Sequence, residues 1–192
     1  MRLLLRFFTV VVCTHVCIIG FAQRGIKWTP DGTAYYAYEK GMLVKYQLPS
    51  FDKTELIQPA QLTPAGKDRP LFVRDFFFSN DGKTVLIYTN TRRVWRLDTR
   101  GDYWVLNTTT NTLRQLGKDK PASSLMFAKI SPDGTNVAYV SEHDIYVEDI
   151  ASGKITPLTT DGTDRMINGT FDWVYEEEFN CRDGFRWSPD SK

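Results

Sequence analysis

The sequence feature that most limits the fold is a turn motif that occurs four times. Each copy has the pattern Ser/Thr-Pro/Asn-Asp-Gly or a close variant, with an aromatic or apolar run before it. The copies are KWTPDGTAYYAY (27–38), FFFSNDGKTVLIYT (76–89), FAKISPDGTNVAYVS (127–141) and FRWSPDSK (185–192). The turn residues Asp31, Asp81, Asp133 and Asp190 are 50, 52 and 57 residues apart. Periods of this length are typical of the blades of a β-propeller.

The third copy explains why this motif reverses the chain. Pro132 presets φ at the first central position, Asp133 can bond the nearby backbone, and Gly134 accepts the positive φ that closes the hairpin. The segment that follows, DIYVEDIASGKITPLT (144–159), is predicted to form a strand, a Ser-Gly-Lys turn and another strand. Together with the strands on either side of the motif, this segment completes one four-stranded blade.

The segment DYWVLNTTTNTLRQL (102–116) is predicted to do the same for the preceding blade. Its alternation places Tyr103, Val105 and Asn107 on one face and Trp104 and Leu106 on the other. Large side chains on both faces are expected where a blade packs between two neighbours.

The chain as a whole is predicted to be all-β. No segment has a 3.6-residue apolar period over three turns, and the best helix candidate is one turn around Val174–Phe179. Residues 58–72, rich in Pro and polar residues, are interpreted as a loop between the first two blades. We therefore predict an incomplete propeller domain over residues 23–192, with three four-stranded blades and the opening hairpin residues of a fourth. Since propellers have ~4–8 blades, the chain is expected to be the N-terminal part of a longer protein or a truncated product.

Residues 1–22 have the features of a secretory signal peptide. Arg2 and Arg6 precede an apolar core at 7–21, and Gly20 and Ala22 occupy the small-residue positions of a cleavage site. This predicts a secreted or periplasmic protein. The alternative is a membrane anchor through residues 7–21, although that core is shorter than the ~20 residues a spanning helix needs.

The charge balance and the cysteines exclude several classes of protein. Of the 24 Lys and Arg residues, two fall within 1–22, so 22 remain against 23 Asp and Glu, which argues against a nucleic-acid partner. Cys181 is the one cysteine outside the signal segment, so an internal disulfide is not expected. We expect Cys181 to be buried or lightly exposed. The remaining histidine, His143, is interpreted as a loop residue, and no cofactor or metal is predicted.

The stretch FDWVYEEEF (171–179) places three carboxylates, Glu176, Glu177 and Glu178, directly behind an aromatic and apolar run. Acidic triplets are most often solvated surface features. Carboxylates this close together repel one another unless a cation compensates them, and a protonated α-amino group would suit.

The run D-W-V-Y-E-E-E resembles the signature of the dipeptidyl peptidase IV family of serine exopeptidases. The resemblance implies that Glu177 and Glu178 bind the protonated amino terminus of a peptide substrate, and it leaves the role of Glu176 open. The stretch VWRLDTRGDYWVLN (94–107) resembles a second part of the family, in which Arg96 takes the position of an arginine that contacts the substrate carbonyl and the glutamates. An arginine in a β protein more commonly covers a strand edge or stacks on an aromatic ring, here Trp95.

The resemblance implies an enzyme that releases dipeptides with Pro or Ala in second position. Its nucleophile would lie in a G-x-S-x-G elbow on an α/β-hydrolase domain, and this sequence contains no such motif and no predicted catalytic residue. The expected partners are that hydrolase domain, a peptide amino terminus and a second copy in a homodimer. Two alternatives remain: a non-catalytic TolB-like propeller that binds proteins, or a catalytically inactive relative that binds peptides through the same acidic run.

Overall fold

The computed structural model describes residues 26–192, so the predicted signal peptide at 1–22 and the alternative anchor at 7–21 lie outside the described residues. Residues 26–192 form twelve strands, which are β1 (Lys27–Trp28), β2 (Ala34–Glu39), β3 (Met42–Gln47), β4 (Asp52–Ile57), β5 (Asp75–Phe78), β6 (Thr84–Arg93), β7 (Asp98–Asn107), β8 (Thr112–Gln115), β9 (Leu125–Ile130), β10 (Asn136–Ser141), β11 (Asp144–Asp149) and β12 (Ile155–Pro157). A 3₁₀ helix spans Pro59–Leu62, and one α-helix, α1, spans Trp173–Glu178. No helix within this part of the chain is long and apolar enough to cross a bilayer.

The strands form three antiparallel groups of four, which we call blades 1, 2 and 3. Blade 1 has the order β1-β2-β3-β4, blade 2 contains β5 to β8, and blade 3 contains β9 to β12. Blades 2 and 3 are joined into one sheet because β7 also pairs with β9, with Arg100 opposite Met126 and Gly101 opposite Leu125. The prediction of an all-β chain with three four-stranded blades is confirmed.

The repeated turn is built as its sequence predicts. Gly134 has a φ of 76°, and its N–H donates to the Ser131 carbonyl at 2.9 Å. The Asp133 carboxylate accepts from the Ser131 hydroxyl and from the Thr135 N–H, and these hydrogen bonds lower the pKa of Asp133. The same bonds recur at Asp31, where they lower the pKa to about 2.

Two hydrophobic clusters lie on opposite faces of the β6–β7 pair. Tyr103 and Val105 belong to the cluster shared with blade 3, whereas Leu106 belongs to the cluster shared with blade 1, against which Trp104 packs. The alternation predicted for this strand is therefore confirmed, with Asn107 at the strand end and outside both clusters. Blade 2 is stabilised from both sides because successive side chains point to opposite faces.

A buried ion pair joins blades 2 and 3. Glu148 on β11 is 1% exposed and accepts from the Arg114 guanidinium on β8. It also accepts from the Gly117 N–H at 2.8 Å and from the Tyr139 hydroxyl at 3.1 Å. Arg114 donates in addition to the Asp149 and Ile150 carbonyls. This network satisfies a charge that would be costly to bury alone.

Outside the blades, the predicted helical turn and the predicted connecting segment are both present, whereas the fourth copy of the turn motif lacks its strands. The predicted single helical turn is α1, which begins one residue earlier than expected, and residues 58–72 connect blade 1 to blade 2. The fourth copy of the motif forms its turn without a strand. There, Ser188 bonds the Lys192 backbone, and Trp187 donates to the Lys129 carbonyl of blade 3 at 2.9 Å.

Candidate functional site

The predicted arginine lies at the tip of the longest hairpin among the described residues. Strands β6 and β7 each have ten residues, and the hairpin closes with the Val94 N–H donating to the Leu97 carbonyl at 3.0 Å. Trp95 and Arg96 are the two central residues of this turn. The Arg96 side chain is 72% exposed, so it projects beyond the sheet and does not cover a strand edge.

Helix α1 carries the acidic run and has an unusual orientation. The Asp172 side chain caps the helix by accepting from the Tyr175 N–H at 3.0 Å. Phe171, Tyr175 and Phe179, spaced four residues apart, form a row of rings on the outer side, with centroids 5.5 and 5.6 Å apart. The aromatic side of the helix is therefore exposed, and part of its acidic side faces the protein.

The three glutamates differ sharply in their environment. Glu176 is 3% exposed, and the Glu177 side chain is 2% exposed. Glu178 is exposed to solvent. Since successive helical residues are rotated by about 100°, three adjacent carboxylates cannot share one environment.

The structure brings Arg96 and Glu177 together across 81 residues of sequence. The Arg96 Nε lies 2.7 Å from the Glu177 Oε2. The two groups have the distance of an ion pair but not the angle of a hydrogen bond, so both Glu177 carboxylate oxygens are buried without a hydrogen-bond donor. Among the described residues the ion pair of Arg96 is with Glu177 and not with Glu178. The role of Glu178 in substrate binding stays a prediction, as do those of Glu177 and Arg96.

Glu176 is the residue whose position the sequence left open. Its Oε1 is buried and has no hydrogen-bond partner among the described residues. Burial raises the pKa of the Glu176 carboxyl, the positive charge of Arg182 opposes that shift, and the negative charge of Glu177 adds to it. The only signal in the sequence was the position of Glu176 in the acidic run.

This arrangement favours a cation that carries several N–H donors. A buried carboxylate with unused acceptor capacity is costly unless a donor reaches it. An ammonium group has three donors and one positive charge, so it can satisfy two oxygens at once. The exposed guanidinium of Arg96 stays free on its outer side to donate to a carbonyl.

The two other residues considered in the sequence, His143 and Cys181, both lie outside the strands and helices. His143 lies in the turn between β10 and β11, as predicted, with its Nε2 3.6 Å from the Asp164 carboxylate. The expectation for Cys181 was wrong, because this residue follows the end of α1 and is exposed. Residues 26–192 contain no group of three or more His, Cys, Asp or Glu side chains placed to bind a metal ion.

Comparisons with known proteins extend over most of the described chain. Residues 79–192 match the family described as the dipeptidyl peptidase IV (DPP IV) N-terminal region. The protein named Probable dipeptidyl-aminopeptidase B of Arthroderma otae is 36% identical over 115 residues, which is 59% of this chain and 12% of that protein. The protein of the same name from Penicillium rubens is 35% identical over 115 residues, 59% of this chain and 13% of its own length.

A solved structure is similar over a longer part of the chain. The crystal structure of Porphyromonas gingivalis dipeptidyl peptidase 4 superimposes with a TM-score of 0.78 at 26% identity. The match covers 88% of this chain and 24% of that one. This chain therefore spans about an eighth of the length of the curated relatives above and about a quarter of the solved structure.

Proposed function

The chain belongs to the family of dipeptidyl peptidase IV N-terminal regions, and on that premise we propose that it is the substrate-holding part of a serine exopeptidase. The enzyme releases dipeptides from the free amino terminus of peptides, with Pro or Ala in second position. The proposal includes secretion or export to the periplasm, from the signal-like features of residues 1–22.

The single observation that carries this proposal is the contact between Arg96 and Glu177. A hairpin tip and a short helix, far apart in sequence, place a guanidinium against a carboxylate that is otherwise buried without a donor. In the proposed complex, Glu177 and Glu178 accept from the substrate ammonium. Arg96 donates to the carbonyl of the first residue and contributes a positive charge beside Glu177.

Such a site fixes the distance between the substrate's amino terminus and the peptide bond that is cleaved. When the ammonium is fixed at one distance from a nucleophile on another domain, only the second peptide bond reaches that nucleophile. Binding free energy gained at the amine then positions the bond that reacts. An α/β-hydrolase domain, as the family resemblance implies, would supply the nucleophilic serine, its base and the oxyanion hole.

The test is kinetic and uses the enzyme in which this chain is joined to its hydrolase domain. We expect Glu177→Ala and Glu178→Ala each to lower kcat/KM for an Ala-Pro chromogenic substrate by about tenfold or more, because charge-assisted contacts to the ammonium are lost. Glu55→Ala, which removes an exposed carboxylate of β4, is the matched control and should leave kcat/KM unchanged.

An N-acetylated form of the same substrate should not be cleaved, since it has neither the charge nor the donors of the ammonium. Unchanged kinetics in both glutamate variants, together with cleavage of the acetylated substrate, would contradict the proposed role of the acidic run.

A further inference from the structure

A cavity of 380 Å³ lies beside the Arg96–Glu177 contact, between the hairpin tip, blade 3 and the loop that precedes α1. We call it the side pocket. Its walls are mainly apolar and are formed by Val94, Trp95, Met126, Val140, Ile167 and Phe171. Two of these side chains, Trp95 and Phe171, are aromatic and partly exposed, so they can receive a ligand.

The charged residues of the side pocket are mostly acidic. Glu142, Asp164 and Glu176 contribute three carboxylates against the single guanidinium of Arg100, and His143 also lines the pocket. Glu142 and Asp164 are exposed, whereas Glu176 is 3% exposed with its Oε1 unpartnered. A cation in the pocket would offset the cost of burying the Glu176 carboxylate. Aromatic walls add a cation–π attraction.

The side pocket begins next to the proposed amine site. Trp95 directly precedes Arg96, and Glu176 directly precedes Glu177. Consecutive Cα atoms are about 3.8 Å apart, so the backbone that forms these walls of the side pocket adjoins the backbone of the proposed amine site.

We propose that the side pocket receives the side chain of the substrate's first residue and favours a cationic one, lysine or arginine. Glu176 is the interior acceptor, Glu142 and Asp164 attract the charge at the mouth, and the apolar walls contact the methylene groups of the side chain. This inference rests on the proposed function, because it needs the substrate amine to be held at Glu177.

The experiment measures the affinity of the protein for two dipeptides by isothermal titration calorimetry. Lys-Pro and norleucyl-Pro have side chains of similar length, and only Lys-Pro carries the side-chain charge. We expect the unaltered protein to bind Lys-Pro about tenfold more tightly, as for one charge-assisted contact. Glu176→Gln should lower the ratio of the two affinities to about three, the part that Glu142 and Asp164 still contribute. The control Glu55→Gln should leave the ratio unchanged.

A second variant keeps the test valid if Glu176→Gln does not fold. The exposed pair at the mouth can be neutralised by Glu142→Gln with Asp164→Asn, and this change should lower the ratio about threefold through weaker attraction. An unchanged ratio in the double variant would overturn the inference.

Two further results would also overturn the inference while leaving the proposed function intact. One is a ratio near one in the unaltered protein. The other is an equal loss of affinity for both dipeptides in Glu176→Gln, which would mean that Glu176 only maintains the structure. Failure of the proposed function gives a different result, since Glu177→Gln would then bind both dipeptides as the unaltered protein does.

Discussion

The buried carboxylate of Glu148 allows the stability of the contact between blades 2 and 3 to be predicted. Glu148→Ala removes an acceptor shared by the Arg114 guanidinium, the Gly117 N–H and the Tyr139 hydroxyl. Three lost hydrogen bonds at about 1–1.5 kcal/mol each agree with the loss of about 3–5 kcal/mol for breaking a buried ion pair. The Arg114 side chain is 31% exposed, so water can partly hydrate it after Glu148 is removed. We therefore expect Glu148→Ala to lower the free energy of unfolding by about 3–4 kcal/mol.

The assay is urea-induced unfolding followed by tryptophan fluorescence. The matched control is Lys83→Ala, which removes an exposed ion pair with Asp81 at 3.6 Å and should cost less than about 1 kcal/mol. For a chain of this size, the loss in Glu148→Ala corresponds to a decrease in Tm of about 10 °C.

A double replacement separates the charge from the packing. Arg114→Met with Glu148→Leu removes the donor and the acceptor of the ion pair together, so it should cost less than Glu148→Ala alone. If Glu148→Ala costs no more than Lys83→Ala, the Glu148 network does not hold the blades together and the reasoning is refuted.

Two further predictions concern the turns and the hairpin. Hydrogen bonds lower the Asp31 pKa to about 2, so the stability that its ionised form contributes is complete above about pH 4 and is lost as the pH falls through 2. Asp31→Asn should therefore show a smaller decrease in the urea midpoint between pH 4 and 2 than the unaltered protein, and equal decreases would contradict this. At Gly101, an added Cβ would lie 2.7 Å from the Thr89 carbonyl oxygen. Gly101→Ala should lower the free energy of unfolding by about 1–3 kcal/mol, and a loss below 0.5 kcal/mol in urea unfolding would show that the β6–β7 pair adjusts freely.

Much of the fold could be predicted because its signals are local. The repeated turn requires particular residues at fixed positions, as at Asp133 and Gly134, and strand alternation separates Tyr103 from Trp104 without knowledge of the rest of the chain. The family resemblance supplied Arg96 and Glu177 as residues of one site, and the structure brings them into contact.

The remaining features depend on long-range packing. The pairing of β7 with β9 joins two blades at Gly101, and no side-chain pattern in either strand indicates this contact. An acidic triplet normally predicts a solvated surface, yet α1 turns Glu176 and Glu177 inward and exposes its aromatic rings. The orientation of so short a helix is set by its surroundings and not by its own periodicity. The same limit explains why the expectation for Cys181 was wrong.

The most direct test of the amine-binding site is the affinity of this protein for Ala-Pro with a free and with an acetylated amino terminus, measured by calorimetry. We expect acetylation to weaken binding at least about tenfold in the unaltered protein, from the loss of charge-assisted contacts. In Glu177→Gln acetylation should have a clearly smaller effect, because only the contact to Glu178 is left to lose. Equal affinity of the unaltered protein for the two forms would contradict the claim that Arg96 and Glu177 form part of a site for a free amino terminus.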